Sequence, residues 1–280
     1  MKLKRKLIQI AAFGFSNFRV ANLFHGKIYK GSWKNFCNPG MNCYSCPAAN
    51  LSCPIGALQA VGGSPKFGIS FYVLGFILAL GVVLGRAVCA FLCPFGLIQE
   101  LLFRISTKKY RLPRFLTYVK YVILVVFVLI LPAFFTNPFG MGKPAFCEFI
   151  CPVGTLEGGI PLLLTNTGLR ESLGILFFWK AFLLAVTLLG CIFVHRFFCK
   201  VLCPLGAIYG LLNKVSFLKL SVNKEKCTNC GLCAKKCLMD VNPVENPQSL
   251  ECIRCGECVK HCPNGAICLG FGNKRMDKEE

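Results

Sequence analysis

The chain has 280 residues, 55% hydrophobic and 16% charged, with 20 Cys, a formal net charge of +20 and a mean hydropathy of +0.58. A soluble domain carries about a quarter charged residues, and disordered chains are poor in apolar ones. A disulfide-stapled miniprotein is far shorter. These classes are excluded, which leaves a membrane protein with a thiolate-bound metal. A basic balance beside apolar spans reads as positive-inside anchoring rather than nucleic-acid contact.

Four apolar runs approach the roughly 20 residues that span a bilayer: 7–24, 69–88, 115–135 and 174–194. The first is broken by Asn17, Arg19 and Asn22 and flanked by Lys2, Lys4, Arg5 and Lys6. It lacks the small-residue cleavage site of a signal peptide and is taken as a retained span. Arg19 within it is expected to face a polar interior. Lys and Arg cluster at the N-terminus, at Arg104–Arg114 and from Arg196 to Lys219, while residues 136–173 are poor in them. Lys27, Lys30, Lys34 and Lys66 blur this count. It still predicts a multi-pass protein of the cell membrane with both termini cytoplasmic.

One motif, C-P-apolar-G, recurs as CPIGALQ (53–59), CPFGLIQ (93–99), CPVGTLE (151–157) and CPLGAIY (203–209). Three copies have a Cys four residues earlier: Cys89, Cys147 and Cys199. The first has Cys43 and Cys46 upstream instead. On four spans the copies alternate outside and inside, so the membrane part reads as two tandem halves. Pro suits a first helical position, and a helix starting there aims its N–H groups at an anionic cluster. The inner copies supply Cys89, Cys93, Cys199 and Cys203, the four thiolates of one [4Fe–4S] cube. The outer side offers Cys53, Cys147 and Cys151 with Cys46, and Cys43 and Cys37 as alternates. A disulfide between Cys37 and Cys43 is the other use open to them. Cys191, Cys268, His25 and His195 are read as packing or interfacial residues.

Beyond residue 220 the chain is polar. It holds Cys227, Cys230, Cys233 and Cys237, then Cys252, Cys255, Cys258 and Cys262 followed by Pro263. This is the bacterial two-cluster spacing, in which the fourth Cys of each run ligates the other cluster. One cluster is expected on Cys227, Cys230, Cys233 and Cys262, the other on Cys252, Cys255, Cys258 and Cys237. A zinc site uses two spaced pairs rather than two such tetrads. The fold expected is therefore mainly α: a four-helix transmembrane domain over 1–220, and a cytoplasmic α+β two-cluster ferredoxin domain over 221–280.

CAFLCPFG (89–96), CKVLCPLG (199–206) and the Cys at 227–262 together resemble the NapH-type membrane ferredoxins. They are similar also to the membrane part of NosR and to oxidase-assembly ferredoxins. The resemblance implies membrane electron transfer. Cys at the outer motifs departs from NapH and favours a wire across the membrane. Its expected partners are the lipid bilayer, a cytoplasmic donor such as a ferredoxin or dehydrogenase, and an extracytoplasmic flavoprotein or reductase, with no nucleic acid. Tunnelling weakens steeply with distance, so either the motif loops dip inward or a quinone relays. Two other readings stay open: a quinol-oxidising or quinone-reducing subunit, and a copper reductase or assembly factor. No catalytic residues are expected, since the chain has no CxxCH, Walker A or HExxH motif.

Overall fold

The computed structural model describes residues 2–62, 69–136, 142–171 and 173–272. Lys66 and the end of the expected 221–280 unit lie outside them. The architecture is mainly helical, with one two-stranded antiparallel sheet.

Four spanning helices are not what forms. Among the described residues two helices are long and apolar enough to cross a membrane, Arg114–Phe134 and Ile175–Phe193. The expected first span is divided into Lys2–Ser16 and Ala21–His25. The break falls where Ser16 and Asn17 turn inward: the Ser16 hydroxyl donates to Asn38 Oδ1 at 2.9 Å and Asn17 Nδ2 to Phe13 O at 3.3 Å. Arg19 lies at this break, exposed, with its guanidinium 3.8 Å from the Tyr29 ring centre. The expected second span is the 16-residue helix Ile69–Leu84, shorter than a bilayer needs. It stops at Gly85, whose φ of +58° is the left-handed cap that Gly adopts without strain.

Only 28% and 17% of the apolar windows of the two long helices are buried within the protein. Phe178, Phe182, Val122 and Phe134 stand exposed along them. Soluble core helices would bury these side chains, so lipid is the solvent that covers them. Arg114–Phe134 widens into a π segment at Leu124–Ile130, just before Pro132. A second π segment, Thr155–Gly159, precedes Pro161. Proline has no N–H to donate and crowds the carbonyl four residues back, and a π segment accommodates this without breaking the helix.

The main core lies where the short helices meet. Each C-P-apolar-G run opens a helix at its Pro: Pro54–Gly62, Pro94–Leu102, Pro152–Gly154 and Pro204–Leu212. Cys37, Cys53, Cys89, Cys93, Cys151, Cys199 and Cys203 belong to one packed core with Ile55, Phe95, Phe146 and Phe198. The chain then forms β1 (Leu218–Val222), which pairs with β2 (Ile267–Phe271) in the register Leu220↔Leu269. Between the strands the two Cys runs turn through residues with positive φ at matched places, Asn229 and Gly231 in the first and Arg254 and Gly256 in the second.

This Cys-rich unit is fastened to the helices by buried polar groups. Arg254 donates to Leu84 O, Asn213 O, Ser216 Oγ and Gln248 Oε1 at 2.5–3.3 Å. Asn213 donates back to Ser249 O and Cys252 O. Lys200 pairs with Asp240 at 2.6 Å, and Glu251 takes both Arg86 and Lys120. Several basic residues counted as cytoplasmic anchors are therefore internal partners: Arg5, Arg196 and Lys200 are buried.

Candidate metal centres

Cys89, Cys93, Cys199 and Cys203 all lie within electrostatic reach of one another and are buried. Two fully buried arginines cross this set. Arg86, three residues before Cys89, donates to Cys199 O at 2.9 Å. Arg196, three residues before Cys199, donates to Cys89 O at 2.5 Å. Each has its own carboxylate: Glu251 Oε2 lies 2.8 Å from Arg86, and Glu100 Oε1 lies 2.7 Å from Arg196 and 2.8 Å from Arg5. Burial works to raise the Glu100 carboxyl, but Arg196 and Arg5 outweigh it and hold it below its ordinary range. The arrangement is reciprocal, with each half of the repeat clasping the other's Cys loop.

Cys43, Cys53, Cys147 and Cys151 form a second set around a cavity of about 180 Å³. Cys43 takes the fourth place here. Cys46 packs instead with Ala48 and Ala49, its thiol 4.0 Å from Asn17 Oδ1. Cys37 bridges to Ser52, and every Cys is a free thiol, so no Cys37–Cys43 disulfide forms.

The repeat explains the local chemistry of both sets. The N–H groups of Gly56, Gly96, Gly154 and Gly206 each point at the sulfur of the Cys that opens their own run. For Gly206 the distance is 3.3 Å. The seventh residue of each run then reaches across the core. Gln59 Nε2 lies 3.3 Å from Cys147 Sγ, and Gln99 Nε2 lies 3.2 Å from Cys199 Sγ. Glu157 accepts from Cys43 N at 2.7 Å, and Tyr209 donates to Pro39 O at 3.0 Å. Behind Gln99, the Cys191 thiol lies 3.7 Å from Gln99 Oε1.

The charge around the second set is different. Glu157 has a carboxyl oxygen sealed from solvent, and burial pushes its pKa up to about 8. Lys180, on the helix Ile175–Phe193, donates to Cys147 O at 3.1 Å.

In the Cys-rich unit, Cys227, Cys230, Cys233 and Cys262 line one small cavity. Cys262 Sγ accepts from Ala266 N at 3.3 Å. Cys258 lies within electrostatic reach of Cys252, Cys255 and Cys237. Cys268 sits on β2 opposite Ser221.

The donor chemistry fits iron–sulfur clusters. Burial pushes the thiol pKa of Cys89 and Cys252 up to about 11 and those of Cys147 and Cys258 to about 12. Protein alone would keep these thiols neutral, and a bound cationic iron core makes thiolates tenable and releases their protons. Among the described residues no three His, Cys, Asp or Glu donors converge on a single metal ion. A cube shares four thiolates among four irons, so it needs no such convergence.

Sequence reasoning did not single out Arg86, Arg196, Gln59, Gln99, Glu157, Lys180 and Tyr209. Two signals were present: Arg three residues before the first Cys of both inner motifs, and a polar seventh residue in every repeat.

Apolar helices open to lipid and thiols gathered in fours define a membrane-associated, ferredoxin-type protein. The chain belongs to the 4Fe-4S binding domain family, whose profile matches residues 67–113, 121–163 and 175–224, while a second 4Fe-4S binding domain profile matches 249–268. An uncharacterized protein of Methanocaldococcus jannaschii is 31% identical over 210 residues, 71% of this chain and 78% of that protein. The methylamine utilization ferredoxin-type protein MauN of Methylorubrum extorquens is 29% identical over 240 residues, covering 83% and 73%. YccM of Escherichia coli, named as an electron transport protein, is 28% identical over 207 residues, covering 66% and 51%. No solved structure matches the chain. The protein thus carries [4Fe–4S] clusters and transfers electrons through them. The likenesses do not single out the NapH type, and the broader family is what stands.

Proposed function

We propose that this chain is a transmembrane electron conduit with four [4Fe–4S] sites. Two sit in the Cys-rich unit, on Cys227, Cys230, Cys233 and Cys262 and on Cys252, Cys255, Cys258 and Cys237. A third is held by Cys89, Cys93, Cys199 and Cys203, and a fourth by Cys43, Cys53, Cys147 and Cys151. Each cluster, when bound, takes up and gives back one electron.

The observation that carries the reading is the cavity framed by Cys43, Cys53, Cys147 and Cys151. Cys147 and Cys151 lie between the two apolar helices in sequence, while the Cys-rich unit follows the second. A set gathered on them serves the face opposite that unit. With the basic segments and both termini on the cytoplasmic side, the donor is a cytoplasmic redox protein and the acceptor an extracytoplasmic flavoprotein or reductase, or the reverse. The protein's own residues supply the insulation: buried Arg86 and Arg196 offset cluster charge, and Gln59 and Gln99 hydrogen-bond to ligand sulfurs.

Iron and acid-labile sulfide per chain, on protein purified anaerobically in detergent, test this. About sixteen irons are expected for four cubes. About twelve would remove the fourth site and the conduit with it.

A further inference from the structure

The conduit requires the two membrane cysteine sets to communicate, and residues 37–43 lie between them. Gly40 packs so tightly on Cys93 that a Cβ there would sit 2.5 Å from Cys93 Cα and 3.1 Å from its Sγ. Three residues later Cys43 lines the other cavity, its Sγ 3.8 Å from where Gly154 would carry a Cβ. Met41 and Asn42 between them are buried. The Met41 N–H points at the Cys93 sulfur, and the Asn42 N–H at the Cys53 sulfur. Adjacent peptide groups of one loop segment therefore touch one ligand from each set. The three residues from Gly40 to Cys43 span at most about 11 Å.

The segment is pinned at both ends. The Tyr209 hydroxyl donates to Pro39 O at 3.0 Å, and Asn38 Nδ2 donates to Gly40 O at 3.0 Å. At the other end Cys43 N donates to Glu157 at 2.7 Å. Glu157 and Tyr209 are the seventh residues of the outer and inner runs of the second half, so that half holds both ends.

We propose that residues 40–43 are the bridge through which an electron passes between the two cysteine sets, with no quinone or other mobile carrier between them. The proposal rests on the reading that both sets hold [4Fe–4S] clusters. One electron crosses, oxidising the cluster of one set and reducing that of the other; no bond forms or breaks and no proton moves. Gly40 and Tyr209 are positioning residues: one admits the close approach, the other holds the segment to it.

The test uses the full chain, anaerobically purified and fully reduced, with iron counted and the electron paramagnetic resonance spectrum recorded at low temperature. About sixteen irons with a component of the spin–spin splitting that is lost in a Cys147→Ser/Cys151→Ser variant, while that of the Cys-rich unit persists, supports the bridge. About sixteen irons with splitting that the same variant leaves unchanged overturns it and leaves the conduit standing with a relay. About twelve irons overturns the conduit reading, and the bridge with it. Tyr209→Phe removes only the Pro39 bond and is expected to keep its iron and lose part of the splitting. Gly40→Ala forces the segment off Cys93 and is expected to lose more. Unchanged splitting in both variants, with iron retained, overturns the role of the segment.

Discussion

The two membrane cysteine sets use the same motif in different electrostatic settings. Around Cys89, Cys93, Cys199 and Cys203, two arginines with no solvent exposure are crossed between the halves, each paired with a carboxylate. Around Cys43, Cys53, Cys147 and Cys151 there is no such clasp among the described residues; a sealed Glu157 carboxyl, Lys180 and the buried Lys34 within electrostatic reach of Cys43 stand there instead. The thiolate framework is thus duplicated while the surrounding charge is not. Cluster potentials follow net charge and sulfur hydrogen bonds, so the arginine-flanked site is expected to be the more readily reduced of the two.

The largest effect breaks one side of this comparison outright. Cys147→Ser/Cys151→Ser is expected to lower iron and acid-labile sulfide by about a quarter, one cube in four, with the Cys89 site still visible spectroscopically. An equal loss at both sites would show that they do not assemble independently.

Next come the arginines. Arg86→Gln leaves Glu251 with Lys120 alone and Arg196→Gln leaves Glu100 with Arg5 alone, a smaller loss than the roughly 3–5 kcal/mol of breaking an isolated buried pair. Each variant is expected to lower the thermal unfolding midpoint clearly and to lower the potential of the Cys89 site in a redox titration. Lys180→Met should act on the other site alone. A shift confined to the wrong site would undo the assignment.

The glutamines sharpen the comparison because they are equivalent by the repeat. Gln99→Leu removes the donor to Cys199 Sγ and Gln59→Leu the donor to Cys147 Sγ. A lost hydrogen bond worth about 1 kcal/mol corresponds to about 40 mV for one electron. Each variant should lower the potential of its own site by that order, as read by titration of the two signals.

The smallest effect is at His195. Burial, with Arg196 adding to it, pushes its pKa down to about 3 from the ordinary 6.5 of imidazole. The folded chain holds this ring neutral while the unfolded chain protonates it below about 6.5. Its contribution is therefore present above that pH and is lost as pH falls toward 3. Unfolding midpoints of wild type and His195→Phe at pH 7.5 and 5.5 should differ in slope, the variant falling less on acidification.

Spacing alone carried the cysteine arithmetic: two tetrads at 227–262 and four C-P-apolar-G runs, each of which starts a helix at its Pro because that position needs no N–H donor. Run length and hydropathy found the helices Arg114–Phe134 and Ile175–Phe193. Hydropathy failed at 7–24 and 69–88, since a running average does not register that Ser16 and Asn17 have buried partners or that Gly85 takes a left-handed turn. Cys43 and Cys46 are three residues apart and chemically identical, so local sequence does not decide which one lines the cavity.

By itself, then, the sequence determined which thiols are candidates to bind iron, because thiol count and spacing are local properties of the chain. Tertiary structure decided which thiols share a site, which charges surround them and how far apart the sites stand. Those follow from contacts between residues about a hundred positions apart, Arg86 with Cys199 and Arg196 with Cys89, and from a loop at Gly40 folded down onto Cys93. Burial gives such contacts their weight: a guanidinium or a sulfur hydrogen bond matters far more in a low-dielectric core than the same group in water.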